Sequence, residues 1–364
     1  MHILDIEIIR NLQWPNNNMV LDKENVMKYK RPSAFWISTQ LLEKSKKGLI
    51  TGMDKITRGQ VTARWDIISH AMTLRAVVDP RIVGMQKSSV FFSGSLPDIS
   101  PLSIIESYPD NIDAFHEGLS LRRDGSLESG VKIDIYHKDE KELSRITTDL
   151  ININPRFKLK SISGFSWSFL SDSNKFKRLR SYDGTLRSGV IAVMNELIKN
   201  PTAKINEIST RTGLSRSAIK KIYGDIITSG SLIFEPTMTG KWIGEGASTL
   251  VFFTVAESEK RALDSYLMNE SVIGKRILLK RDYLKNSLGY LCWVNDFYDA
   301  VQFQEAILEK SGRYKPMVVL FPKTIYNTKA SINMIVRNSN PSSTATRSGL
   351  VEQVAENDEQ NPVA

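Results

Sequence analysis

A single cysteine, Cys292, in 364 residues excludes an internal disulfide framework and any zinc cluster built on cysteines. No apolar run reaches the ~18 residues that a membrane-crossing helix needs. Histidine is nearly as scarce, with His2, His70, His116 and His137 the whole supply. There is no GxxxxGK[ST] phosphate loop, no HExxH helix and no GxSxG elbow. These absences set the expectation of a protein that is not an enzyme and carries no cofactor and no metal. The opening MHILDIEIIRNLQ places acids inside an amphipathic pattern, unlike a signal peptide. A cytoplasmic, membrane-free protein is therefore expected. What is present is ordinary for a globular chain: 41% hydrophobic and 24% charged residues, in a length that suggests two to four domains.

The sequence repeats its own plan. LDIEIIRNLQ puts Leu4, Ile8, Ile9 and Leu12 on one helical face, and Pro15 to Asn18 breaks it. LDKENVMKY is a short second helix, Pro32 suits the first turn of a third, and Gly48 ends it before extended LITGM. Residues 183–238 follow the same order. LRSGVIAVMNELIKN is the first helix, KINEISTRTG the second, and SRSAIKKIYGDIITSG the third, N-capped by Ser215 and stopped by Gly230 before extended SLIFEP.

Each helical stretch precedes a matching α+β stretch. In the second, STLVFFTVAES, EKRALDSYLMNES, GKRILLKRDYL, LGYLCWVND, FYDAVQFQEAILEKSG and KPMVVLFPK read as β-α-β-β-α-β. In the first, SSVFFSGSL, PLSIIESY, AFHEGLSLR, GVKIDIYHK, EKELSRITTDLIN and FKLKSIS fill the same slots, with Asp124-Gly125 as the turn between the middle strands. The chain thus divides into a helical module (1–58), a connector with an α+β module (59–163), a basic linker (164–182), a second helical module (183–243), a second α+β module (244–328) and a disordered tail (329–364), rich in Asn, Ser, Thr and acids.

The net charge of +9 is unevenly placed. The helical modules carry +4 and +3 and the linker +3, while the α+β modules carry −1 and +1 and the tail −1. Basic heads beside neutral modules fit a nucleic-acid protein. In the second head, Ile208, Leu214, Ile219, Ile222, Tyr223 and Ile226 are expected to face the core of a helix-turn-helix. Ser215, Arg216, Ser217, Lys220 and Lys221 are expected to face out as DNA contacts, Arg reading guanine and Lys neutralising phosphate. In the first head, Lys30, Arg31, Ser33, Thr39 and Gln40 take those roles. In the linker, Trp167, Phe169 and Phe176 are expected to pack on a neighbour while Lys175, Lys177 and Arg178 stay outside.

LDIEIIRNLQ, GLITGM and GLSRSAIKKIYGDIITSGSLI, with the β-α-β-β-α-β stretches, resemble the Lrp/AsnC (feast/famine) transcription regulators as a tandem duplicate over roughly residues 3–325. The resemblance implies an α+β fold with two winged helix-turn-helix modules alternating with two ferredoxin-like modules. It also implies a double-stranded DNA partner, an internal pseudo-dimer or a homodimer through the ferredoxin-like modules, and a small-molecule effector. The family's Gly-Asp-aromatic-Asp effector turn is replaced here by Asn286-Ser287-Leu288-Gly289-Tyr290, so the effector and its site stay unidentified. Competing readings are a DNA-organising protein with little sequence preference, an RNA-binding regulator, and an enzyme. The same architecture resembles siroheme decarboxylases, Tyr290-Leu291-Cys292-Trp293 being similar to their Tyr-Asn-Leu-Trp strand. In that reading His116 and His137, on neighbouring strands, are the candidate pocket residues.

Overall fold

The computed structural model describes residue 8 and residues 56–94, 100–121, 127–165, 173–238, 247–270, 272–283, 287–311, 314 and 317–339. The first-head residues Lys30, Arg31, Ser33, Thr39 and Gln40, together with Asp124-Gly125, Trp167 and Phe169, lie outside that set. The architecture is α+β, with antiparallel sheets. Among the described residues ten strands run as β1 (Met72–Val78), β2 (Gln86–Ser93), β3 (Ile112–Leu121), β4 (Leu127–His137), β5 (Lys158–Gly164), β6 (Leu232–Met238), β7 (Ala247–Thr254), β8 (Ile277–Tyr283), β9 (Ser287–Val294) and β10 (Met317–Tyr326). The α-helices among the described residues are α1 (Arg58–Ala71), α2 (Pro101–Ser107), α3 (Glu140–Ile153), α4 (Ser188–Lys199), α5 (Ile205–Thr212), α6 (Arg216–Ser229), α7 (Glu257–Asn269), α8 (Phe297–Ser311) and α9 (Thr328–Ser339).

Eight strands form one sheet in the order β5-β2-β4-β3-β10-β7-β9-β8. Each half contributes four, with its first and third strands inside and its second and fourth at the edges. The halves join where β3, an edge of the first, pairs antiparallel with β10, an edge of the second. One face is covered by helices in two patches. Val90, Phe92, Val131, Ile133 and Ile135 pack with Leu143, Ile146 and Leu150 of α3. Val251, Phe253 and Tyr290 pack with Leu263 and Leu267 of α7 and Phe303 of α8.

The other face is concave. Phe91 on β2 and Phe252 on β7 are separated by three intervening strands, about 19 Å on a flat sheet, yet their ring centroids lie 4.3 Å apart. The sheet therefore curls until its two halves touch across the inside. A third apolar cluster joins this side to the helical head. It takes Tyr136, Leu278 and Trp293 from the sheet, Val190, Met194 and Leu197 from α4, Ile219, Ile222 and Ile226 from α6, and Ala330, Met334 and Ile335 from α9.

The remaining strands, β1 and β6, form a separate ribbon, from Met72 opposite Met238 to Val78 opposite Leu232. The strand beside the second head is thus supplied by the first half of the chain. The linker folds back as well: residues 173–179 form a 3-10 turn that buries Phe176 and Leu179 and leaves Lys177 and Arg178 exposed.

Residues 329–339, placed in a disordered tail by their composition, belong to the helix α9, which begins at Thr328. Ala330, Ser331, Met334 and Ile335 recur at helical spacing and are all buried, which offsets the poor intrinsic helix preference of the Asn and Ser between them. Replacing Ile335, fully buried in the head cluster, with alanine is expected to cost about 2–5 kcal/mol, read as a lower urea midpoint with an unchanged slope.

Candidate nucleic-acid interface and an interior charge cluster

Helices α4, α5 and α6 form the described head. Glu207 folds back to accept the Lys204 backbone N–H at 2.9 Å, closing the start of α5. Gly213 ends it at φ 69°, a left-handed conformation that glycine adopts without strain. Ser209 Oγ donates to Leu214 O at 2.7 Å, fixing the turn, and Ser215 Oγ accepts from Ala218 N at 3.2 Å, capping α6. An ion pair at 3.1 Å between Arg211 and Glu196 ties α5 to α4, and Arg187 to Asp225 at 3.5 Å ties the start of α4 to α6.

Helix α6 presents two distinct faces. Ile219, Ile222 and Ile226 are buried against α4, while Leu214 and Tyr223 pack partly buried at the edge of that cluster. Ser215, Arg216, Ser217, Lys220 and Lys221 are all exposed. Arg216 with Lys220, and Ser217 with Lys221, stand one turn apart, so three cations and a hydroxyl form two adjacent rows on the first half of the helix. The structure therefore brings all five second-head residues to one surface.

A second constellation lies inside the curled sheet. Asp113 sits at a bulge where the β3–β4 register shifts between Ile112 and Ala114. Its carboxylate pairs with Arg75 of β1, accepts from Lys87 of β2 at 2.5 Å, and accepts from Ser331 of α9 at 3.2 Å. Its backbone carbonyl accepts from Asn327 N at 2.8 Å. Nearby, Asp134 receives Lys132 Nζ at 2.6 Å and Ser89 Oγ at 2.6 Å, with His116 Nε2 at 3.6 Å. His116 Nε2 lies 3.3 Å from Lys132 Nζ, and its Nδ1 lies 2.8 Å from Thr324 Oγ1. Aromatic faces add to the setting. The Arg75 guanidinium lies 4.4 Å over Tyr326, and Lys87 lies 4.6 Å over Phe165.

Burial alone would raise both aspartates. Arg75 and then Lys87 outweigh it at Asp113, and Lys132 chiefly at Asp134, so both carboxyls are held well below the ordinary carboxylate range. Burial, and then the Asp113 charge, push the Tyr136 phenol well up. At Asp79 burial wins over Arg81, and that carboxyl is raised.

His116 and His137 are on neighbouring strands, as expected, but do not meet. His116 points into the concave side, whereas His137 bonds Ser88 at 2.8 Å on the helix-covered side. No group of three or more His, Cys, Asp or Glu side chains among the described residues is arranged to hold a metal. No helix among them is long and apolar enough to cross a membrane. Apart from His116, the interior cluster was not anticipated from sequence. Its signal is the run Lys132-Ile133-Asp134-Ile135, an alternation ordinarily read as a solvent-facing strand.

No family model matches this sequence, and no curated protein does. Solved structures do. The siroheme decarboxylase NirDL aligns over 92% of this chain and 99% of its own at 10% identity and a TM-score of 0.42. Its co-complex with an iron-uroporphyrin III analogue aligns over 88% and 100% at 9% identity and a TM-score of 0.40. The expectation that the chain is not an enzyme is corrected here, because these neighbours are enzymes. A likeness this distant assigns no activity.

The interior aspartates predict a pH dependence. A carboxyl whose folded pKa lies below its unfolded value of about 3.9 stabilises the fold above that pH and loses the contribution as pH falls through the lowered value. Stability in urea is expected to drop by about 2 kcal/mol or more between pH 6 and pH 3, and Asp134→Asn should flatten part of that slope. Asp79, shifted upward, works in the opposite sense.

Proposed function

We propose that the protein is a double-stranded DNA-binding regulator. In this reading α4–α6 with the β1–β6 ribbon act as a winged helix-turn-helix, and the two four-stranded halves act as ferredoxin-like modules paired within one chain. The observation that carries it is the division of α6. Its apolar face is locked into the head by Ile219, Ile222 and Ile226, while Ser215, Arg216, Ser217, Lys220 and Lys221 remain exposed on its N-terminal half. A helix held this way can enter a major groove with Arg216 against base edges and Lys220 and Lys221 against phosphates.

A matching head in residues 1–58, with Lys30, Arg31, Ser33, Thr39 and Gln40 as contacts, would read the second half of an imperfect palindrome, since the two helices differ in sequence. The division into modules at 1–58, 59–163, 164–182, 183–243 and 244–328 belongs to this reading. The pairing of β3 with β10 makes the two modules one body, as an internal pseudo-dimer requires.

One observation favours a second reading. The His116, Lys132 and Asp134 group inside the curled sheet offers a histidine beside a cation, as an enzyme acting on a siroheme-like tetrapyrrole would need. Titration with siroheme would then give a saturable absorption shift, lost in His116→Ala. A flat titration removes this reading.

For the DNA reading, Arg216→Ala with Lys220→Ala is expected to weaken binding to a preferred duplex about tenfold or more. It should also reduce the slope of log affinity against log salt by about 1 to 2, with the thermal transition unchanged because both side chains are exposed. Fluorescence anisotropy across a salt series measures both. Unaltered affinity in the folded double variant means α6 is not the reading helix.

A further inference from the structure

Cations elsewhere on the head are tied to acids. Arg187 pairs with Asp225, and Lys199 and Arg211 both pair with Glu196. Arg216, Lys220 and Lys221 are different: all three are exposed, and none makes an ion pair among the described residues. Helix α6 offers them no acid of its own, since Asp225, its one carboxylate, is held by Arg187.

An acidic stretch lies close by in the chain. Residues 350–359, LVEQVAENDE, hold Glu352, Glu356, Asp358 and Glu359 and no base. Residues 340–364, which lie outside the described set, carry one base, Arg347, against those four acids, a net charge of −3. Helix α9 fixes where this stretch starts. Ala330, Met334 and Ile335 share one apolar cluster with α4 and with Ile219, Ile222 and Ile226 of α6, and the last residue of α9, Ser339, is itself buried. The chain therefore departs from the body of the head. Glu352 follows Ser339 by 13 residues, a reach of up to about 40 Å when extended. Packed helices stand only about 8–10 Å apart, so the acids can meet any part of α6.

We propose that residues 350–359 of this same chain dock on the exposed cation rows of α6, with Glu352, Glu356, Asp358 and Glu359 facing Arg216, Lys220 and Lys221. Exposed ion pairs are individually weak, but a tethered segment acts at an effective concentration in the millimolar range. The consequence rests on the DNA reading of α6: the carboxylates occupy the place of phosphates, and duplex DNA binds by displacing them. The docking itself needs no DNA and is tested without it.

A zero-length carbodiimide cross-linker joins a carboxylate to a lysine amine that it touches. Applied to the DNA-free full-length protein, with digestion and mass spectrometry, it should link Glu352, Glu356, Asp358 or Glu359 to Lys220 or Lys221 in preference to the equally exposed Lys158 and Lys160 of β5. In a mixture of isotopically light and heavy protein, each linked peptide should be uniformly light or heavy. Added salt should remove the links, because exposed charges are screened beyond about 10 Å at 0.1 M. No link to α6, links spread evenly over the lysines, or links between light and heavy chains overturn the proposal. The second measurement uses the full chain carrying Glu352→Gln, Glu356→Gln, Asp358→Asn and Glu359→Gln. This variant should bind duplex DNA about three- to tenfold more tightly than the wild type at low salt, as follows if the α6 face is open in about a tenth to a third of wild-type molecules. Equal affinity of the two proteins also overturns the proposal. A wild type that forms the links but binds no duplex removes the DNA reading and leaves the docking in place.

Discussion

One carboxylate receives three parts of the chain at once. Asp113 is met by Arg75 from the ribbon strand β1, by Lys87 from the sheet strand β2, and by Ser331 from α9. Removing a carboxylate from water is costly, and it is tolerated here because two cations and a hydroxyl saturate it. The dependence runs both ways. Without Asp113, Arg75 and Lys87 would be buried cations lacking their shared partner, a loss of about 3–5 kcal/mol for a pair of this kind. Because β1 is also paired to β6 and α9 is also packed on α4 in the head cluster, this one group fixes where the head sits against the sheet.

The curl of the sheet explains why such charges are inside at all. A sheet open to water on one face would hydrate Lys87, Lys132 and Asp134. Here the contact of Phe91 with Phe252 brings the two halves together across that face, so groups placed for solvent find one another instead. Their pairing is mutual and local: Lys132 with Asp134, His116 with Thr324, Lys87 with Asp113. The convex face needs no such arrangement, because α3, α7 and α8 cover it with aliphatic and aromatic side chains.

Sequence reasoning succeeded where local chemistry decides structure. The caps Ser215, Gly213 and Gly230 and the isoleucine spacing of α6 are visible in the sequence and occur as read. The strand and helix order of the two α+β stretches was likewise accessible from hydrophobic period. What it missed depends on distant partners. Strand β1 lies in a stretch that reads as a connector, because its partner β6 is some 160 residues further on and nothing nearby announces it. Lys132 and Asp134 looked like solvent positions because alternation reports which face a residue occupies and not what covers that face. Helix α9 was hidden by an Asn- and Ser-rich composition, although its buried stripe of Ala330, Met334 and Ile335 was present.

The exchange of strands between the two halves has a bearing on how the chain came to be. If the repeat arose by doubling, each copy once completed its own ribbon and closed its own sheet edge. Now β1 of the first completes the ribbon of the second, and β3 and β10 close each other's edge. A break anywhere between residues 78 and 232 would place the two ribbon strands on separate fragments, which would then have to find each other as two molecules for the ribbon to form.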